Sequence, residues 1–272
     1  MASLRQLILV CAVSAFAFNS AMAQTKPAAP PPFEPKSGQP GKDVVWVPTP
    51  QGLVDQMLGM AQITKTDYLV DLGSGDGRTV ITAAKRGTRA NGIEYNPDMV
   101  ALAQYHAQME GVATTATFER ADIFVTDFSK ATVVTMFLLP QLNIKLRPIL
   151  LDMKPGTRVI SNSFDMGEWK PDETVKATDD CESWCTAYKW IVPAKVNGDW
   201  RLSDGQLKLT QTFQMLEGAI TQGGNILPIS DAKINGTEIT FTAGGKKYTG
   251  RIDGNAMSGS VAGGGTWKAT RA

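Results

Sequence analysis

The sequence predicts an α/β fold built on a mostly parallel sheet, followed by a small antiparallel β meander or barrel-like domain. Three observations carry this. Apolar strand-like runs alternate with stretches of helical period over residues 68–193, the rhythm of a parallel sheet with crossover helices. The first run, YLVDLGSGDGR at 68–78, breaks into a glycine loop, the strand-to-helix junction where such sheets take ligands. Beyond Val196 the helical period disappears and short runs separated by Gly and Asn turns take over, as in meanders and small barrels.

The 272 residues are 43% hydrophobic and 19% charged, with a net charge of +1. That is enough chain for one or two domains with a core, and it carries no basic field suited to nucleic acid or anionic membrane. Residues 1–23 read as an export signal: Arg5, an apolar run over 7–18, then Ala21, Met22 and Ala23 in small-x-small form, with cleavage before Gln24. The run is too short to span a bilayer. A periplasmic or secreted protein is expected, with no stable membrane insertion. Residues 24–43, with Pro27, Pro30, Pro31, Pro32, Pro35 and Pro40, read as an extended linker.

Residues 44–194 are expected to form the first domain. Val45, Trp46 and Val47 lead into Pro48-Thr49-Pro50, after which Leu53, Val54, Met57 and Leu58 recur at helical spacing, with Thr49 as a candidate cap. Residues 68–70 are a buried strand and 79–85 a helix. Between them Gly73, Gly75 and Gly77 allow positive φ and close approach of a ligand to main-chain N–H groups. A second strand over 87–95 ends at Glu94, about twenty residues beyond the loop, where a carboxylate takes a ribose diol. Two nucleoside readings compete. A dinucleotide site runs GxGxxG, whereas here the third glycine comes one residue early and Asp71 and Asp76 flank the loop. Those carboxylates repel a pyrophosphate and suit a cation, which favours the sulfonium and ammonium groups of S-adenosylmethionine.

Residues 96–111 form an amphipathic helix, 118–124 a third strand with Asp122 and Ile123 at its end, and 132–139 a buried fourth strand stopping at Pro140. A carboxylate at Asp122 suits the adenine amino group, with an apolar neighbour packing on the ring. Residues 142–153 are a helix containing Pro148, and 158–164 a fifth strand. His106 has no Cys or acid partners at ligand spacing and reads as an ordinary helix residue; no metal site is expected.

The motifs WVPTPQGLVDQML, DLGSGDGR, IEYNP, ADIF and MFLLP appear in order across residues 46–165. Together they resemble class I S-adenosylmethionine-dependent methyltransferases, and more closely the small lysine methyltransferases acting on the adenine nucleotide translocase and the ATP synthase c-subunit. The resemblance implies a Rossmann-like domain with S-adenosylmethionine as cofactor. In it Asp71, Gly73, Ser74, Gly75, Asp76 and Gly77 hold the methionine part, with the Thr49 segment folded over it. Glu94 holds the ribose, and Asp122 and Ile123 the adenine. Trp46, Phe137 and Pro140 would line the acceptor entrance. The acceptor it implies is an amine, foremost a protein lysine. No Asn-Pro-Pro-Tyr or Asp-Pro-Pro-Tyr follows the fourth strand, which disfavours adenine, cytosine or glutamine as acceptor and, with the neutral charge, nucleic acid.

Residues 165–184 break the rhythm and carry Cys181 and Cys185. In an exported chain the pair reads as a disulfide, four residues apart on a helix lying within its reach; free thiols are the other reading. Residues 186–193 close the sheet. In the second domain, 195–272, strand-like runs lie at 200–202, 206–214, 217–221, 238–242, 247–253, 258–262 and 266–270, with Trp200 and Trp267 as core. Export from the compartment that makes S-adenosylmethionine leaves a second possibility: a non-catalytic nucleoside-binding or scaffold protein whose β domain docks an envelope partner.

Overall fold

The computed structural model describes residues 31–272; the expected export signal at 1–23 and residues 24–30 of the linker lie outside them. The parallel core of the sheet comprises β1 (Tyr68–Leu72), β2 (Arg89–Glu94), β3 (Ala116–Arg120), β4 (Val133–Met136) and β5 (Arg158–Asn162). On its far edge β7 (Thr186–Ile191) runs antiparallel to both β5 and β6 (Glu173–Lys176), giving the order β3-β2-β1-β4-β5-β7-β6. The chain moves outward from β1 to one side and then returns to β4 on the other. This switch point opens a crevice beyond the carboxyl ends of β1 and β4.

Because both faces of the central strands β1, β4 and β5 are covered, these are buried almost throughout, whereas the edge strand β3 alternates. Leu69 faces one core, with Leu53, Met57, Val80 and Ala103 from α1 (Gln51–Met60), α2 (Arg78–Lys85) and α3 (Pro97–Met109). Val70 faces the other, with Leu146 and Leu150 of α4 (Pro140–Leu151), Trp169 and Trp190. The α3 start follows from sequence chemistry: the Asn96 side chain accepts from Asp98 N–H at 2.9 Å, and Pro97 supplies a first-turn φ without wasting a donor.

Four local expectations are corrected. Thr49 does not cap α1; Pro50 holds the cap position with no side-chain bond, and the Thr49 hydroxyl instead accepts from Asn162 Nδ2 at 3.3 Å. Pro140 opens α4 rather than only ending β4. The interruption at 165–184 contains the edge strand β6, whose ETVK is too polar and short to stand out. Cys181 and Cys185 lie in a loop, not on a helix, and they are joined as a disulfide with Cα atoms 5.8 Å apart.

The second half is a closed antiparallel barrel of β8 (Gly198–Leu202), β9 (Gly205–Thr212), β10 (Met215–Gln222), β11 (Asn225–Asn235), β12 (Glu238–Ala243), β13 (Lys246–Asp253), β14 (Ala256–Val261) and β15 (Thr266–Arg271). Its interior is filled by side chains including Trp200, Leu207, Phe241 and Trp267. Gly250 makes room for Trp267: a Cβ there would stand 2.5 Å from the indole. The strand without a sequence counterpart is β11. Pro228 and the register shift around Asp231, whose φ is 50°, disrupt its alternation.

Residues 31–272 form one compact unit. Barrel and sheet are joined by Phe213 stacked on Trp169 at 6.2 Å, by Gln214 Nε2 donating to Lys170 O at 2.8 Å and by a 2.9 Å ion pair between Lys233 and Asp172. Among the described residues no helix is long and apolar enough to cross a membrane.

Candidate active site

The crevice above β1 and β4 is a cleft of about 1040 Å³, open space at its mouth included, and every residue lining it lies between Gln39 and Leu142. The barrel therefore contributes nothing to its wall. Of the expected residues, Trp46, Thr49, Asp71, Gly73, Ser74, Gly75, Asp76, Glu94, Asp122, Ile123 and Phe137 all line it, drawn together from five segments of the chain. Gly77 and Pro140 do not. Gly77 takes φ 84° at the start of α2, where a Cβ would meet Phe118 and Ala103 at 2.7 to 2.8 Å, so its place is in packing. Leu138 and Leu142 stand in the wall on either side of Pro140.

Four N–H groups of the glycine loop are spent within the protein. Gly73 and Ser74 both donate to Ile93 O, at 2.9 and 3.1 Å, and Gly77 donates to Ser74 O. Gly75 N–H donates to Glu94 Oε2 at 3.0 Å, while Glu94 Oε1 accepts from Asn96 N–H at 2.9 Å. A pyrophosphate needs such donors unspent, so the loop is a poor phosphate cradle. The carboxylates differ from one another as well. Asp76 is engaged by the Arg78 guanidinium, with bonds of 2.6 to 3.1 Å, and so is not a free anion as the sequence suggested.

Asp71 is the most deeply buried of these carboxylates. It sits at the carboxyl end of β1, accepts one hydrogen bond from Thr135 Oγ1 at 2.6 Å and has only 7% of its surface exposed. Burial pushes its carboxyl up to about 7; the Thr135 bond opposes this, while the negative charges of Asp76 and Glu94 reinforce it. A buried carboxyl among anions is a place that a cation would stabilise. Glu94 keeps lone pairs free beside its two backbone bonds, as a ribose diol requires. S-adenosylmethionine thus fits the donor set. Met57, Met99 and Met136 supply polarisable wall around it.

Residues 39–47, read from sequence partly as linker, also form part of this wall. Gly38 N–H donates to Trp46 O at 2.8 Å and Trp46 N–H to Gln39 O at 2.9 Å, closing a narrow strap. Its Trp46 indole lies where a Cβ on Gly75 would be, 2.5 Å from Nε1. Lys42 Nζ donates to Asp122 Oδ2 at 2.5 Å and stands 4.7 Å from the centre of the Tyr95 ring. That bond, with the Phe124 N–H donated to Oδ1 at 2.9 Å, holds the Asp122 carboxyl below its ordinary range. Gly38, Gly41 and Asp43 were the available signal that this stretch turns rather than extends.

The comparisons agree with this geometry. The model of the ANTKMT methyltransferase domain matches residues 71–173, ending before the barrel. A protein-lysine N-methyltransferase of Saccharolobus islandicus is 42% identical over 139 residues, 50% of this chain and 86% of the relative. The adenine nucleotide translocase lysine N-methyltransferase of Mus musculus is 36% identical over 105 residues, 38% of this chain and 46% of that protein. A solved structure from Salinibacter ruber, titled an RNA methyltransferase in complex with S-adenosyl-L-homocysteine, is 49% identical, with a TM-score of 0.52, and covers 55% of this chain and 96% of its own.

Proposed function

The chain belongs to the family of the ANTKMT methyltransferase domain and is an S-adenosylmethionine-dependent methyltransferase, and from that premise we propose that its acceptor is the side-chain amine of a protein lysine. The observation that carries the acceptor is the 42% identity to a protein-lysine N-methyltransferase spanning 86% of that relative. A relative titled an RNA methyltransferase makes RNA the competing acceptor. The net charge of +1 favours the amine over a polyanion.

The cofactor supplies a methyl group on a sulfonium, already activated toward an amine. What the chain supplies is positioning and exclusion of water. Asp71 and Glu94 fix the two polar ends, and the Trp46 strap narrows the cleft above Gly75. The lysine must be unprotonated at the moment of attack; the apolar side chains of Leu138 and Leu142 in the cleft wall disfavour its ammonium form there, so the proton passes to solvent and no side chain has to act as a strong base. Incubation with S-adenosylmethionine tritiated in the methyl group and a mixed host extract tests this. Label should resist ribonuclease and yield to protease; label lost to ribonuclease would overturn the lysine reading.

The proposal extends to location. The pattern of residues 1–23 and the paired Cys181 and Cys185 support export to an oxidising compartment, with the cofactor reaching it from outside that compartment.

A further inference from the structure

We propose that Phe164 and Trp184, together with Phe137, form the docking site for the acceptor's cationic side chain, and that the Cys181–Cys185 disulfide holds Trp184 in position. The inference rests on the amine-acceptor reading above and adds residues outside the cleft wall. The three ring centroids form a triangle with sides of 6.0, 6.1 and 5.4 Å, and interplanar angles of 23°, 56° and 47°. Phe137 lines the cleft, which makes the triangle continuous with the place of methyl transfer, and Trp184 is 47% exposed. A cation about 4 Å above the triangle's centre lies roughly 5 Å from all three centroids, within the distance at which a ring face attracts a cation that lies over it.

The backbone is bent to present these rings. Of the six non-glycine residues with positive φ among the described residues, Ser163 (58°), Asp180 (48°) and Trp184 (59°) belong to the two segments that carry Phe164 and Trp184. Left-handed conformations at such residues persist only where the surroundings enforce them, and they gather at functional sites. Ser163 N–H is held by Thr186 O at 2.7 Å, and the disulfide closes a ring that contains Trp184. The rim has the matching sign. Asp179, Asp180 and Glu182 surround the cysteines, and the only lysines over residues 165–184 are Lys170 and Lys176. This loop abuts the start of α1, where a Cβ on Gly52 would meet Asp179 O at 2.0 Å. Acids flanking the exposed Trp184 in its loop favour an ammonium group and disfavour a phosphate backbone.

Fluorine NMR of the full chain carrying 5-fluorotryptophan tests this without turnover, with Trp184→Phe assigning the resonance. Nα-acetyl-lysine methylamide should shift the Trp184 signal, whereas its uncharged norleucine analogue at matched ionic strength should not. Equal effects of the two probes, or none, would overturn the proposal. In methyl-transfer assays Phe164→Leu and Trp184→Leu should each raise the acceptor KM about 5- to 30-fold, with S-adenosylhomocysteine affinity within twofold of wild type and Trp184→Phe retaining most of the activity. Lysine methylation with unchanged KM in both leucine variants would reject the ring cluster while leaving the lysine acceptor standing. Label found in RNA would reject the acceptor reading, and the NMR titration would still judge the ring cluster alone.

Discussion

Lys42 bonds to Asp122 at 2.5 Å across eighty positions of sequence, tying a strap over the cleft to the loop after β3. The same ammonium faces the Tyr95 ring. The strap's other ties include the backbone pair between Gly38, Gln39 and Trp46, a 3.7 Å contact from Gln39 Nε2 to Met99 Sδ, and Val44 packed against the core.

Lys42→Met should therefore loosen the strap and leave the sheet intact. Amide hydrogen exchange at Gly38 and Trp46 is expected to accelerate several-fold, with exchange in β1 and β4 unchanged. Unaltered protection at both amides would mean that Lys42 does not anchor the strap.

Asp71 sets a pH dependence. Its carboxyl is raised in the folded chain to about 7 from an ordinary 3.8, so the fold binds that proton more tightly than the unfolded chain does. The contribution is fully present below about 3.8, and it is lost as pH rises toward 7. Asp71→Asn keeps an acceptor for Thr135 and removes the buried charge. It should be more stable than the wild type by roughly 2 to 4 kcal/mol at pH 8, with little difference near pH 4, and should lose cofactor affinity. A stability difference that does not vary with pH would contradict this assignment.

Gly75→Val introduces a side chain where φ is 54° and where the Trp46 indole already stands. Cofactor binding by calorimetry should fall below detection while far-ultraviolet circular dichroism stays unchanged. Retained binding would mean that the loop is not where the ligand approaches.

The parallel sheet was legible because its central strands are buried on both sides and its turns announce themselves, as at Gly73 and at the Asn96-Pro97 helix start. The site was legible as a place: Asp71, Glu94 and Asp122, singled out by type and position, all line the cleft. It was not legible where a role depends on a partner distant in sequence. Nothing near Asp76 in the pattern says that Arg78 neutralises it, and nothing in a proline-rich composition says that Lys42 reaches Asp122. Strand β11 was hidden because a bulge and a proline erase the alternation that marks a strand. Phe164 and Trp184 come together only through the end of β5 and the disulfide loop.

The disulfide and the proposed export stand or fall together. Protein from the native host should begin at Gln24 and show one peptide containing both cysteines lighter by two hydrogens. Replacing both cysteines by serine should cost at most roughly 2 kcal/mol, since the closed loop is short. An intact N-terminus with alkylatable thiols would place the protein in the cytoplasm.

The most direct test of the central claim is peptide mass spectrometry after incubating the purified chain with S-adenosylmethionine carrying a trideuterated methyl group and host envelope proteins. The account predicts trideuteromethyl groups on lysine side chains of one or a few proteins, absent when Gly75→Val replaces the wild type. Trideuteromethyl groups confined to RNA nucleosides, or lysine labelling that persists with Gly75→Val, would contradict it.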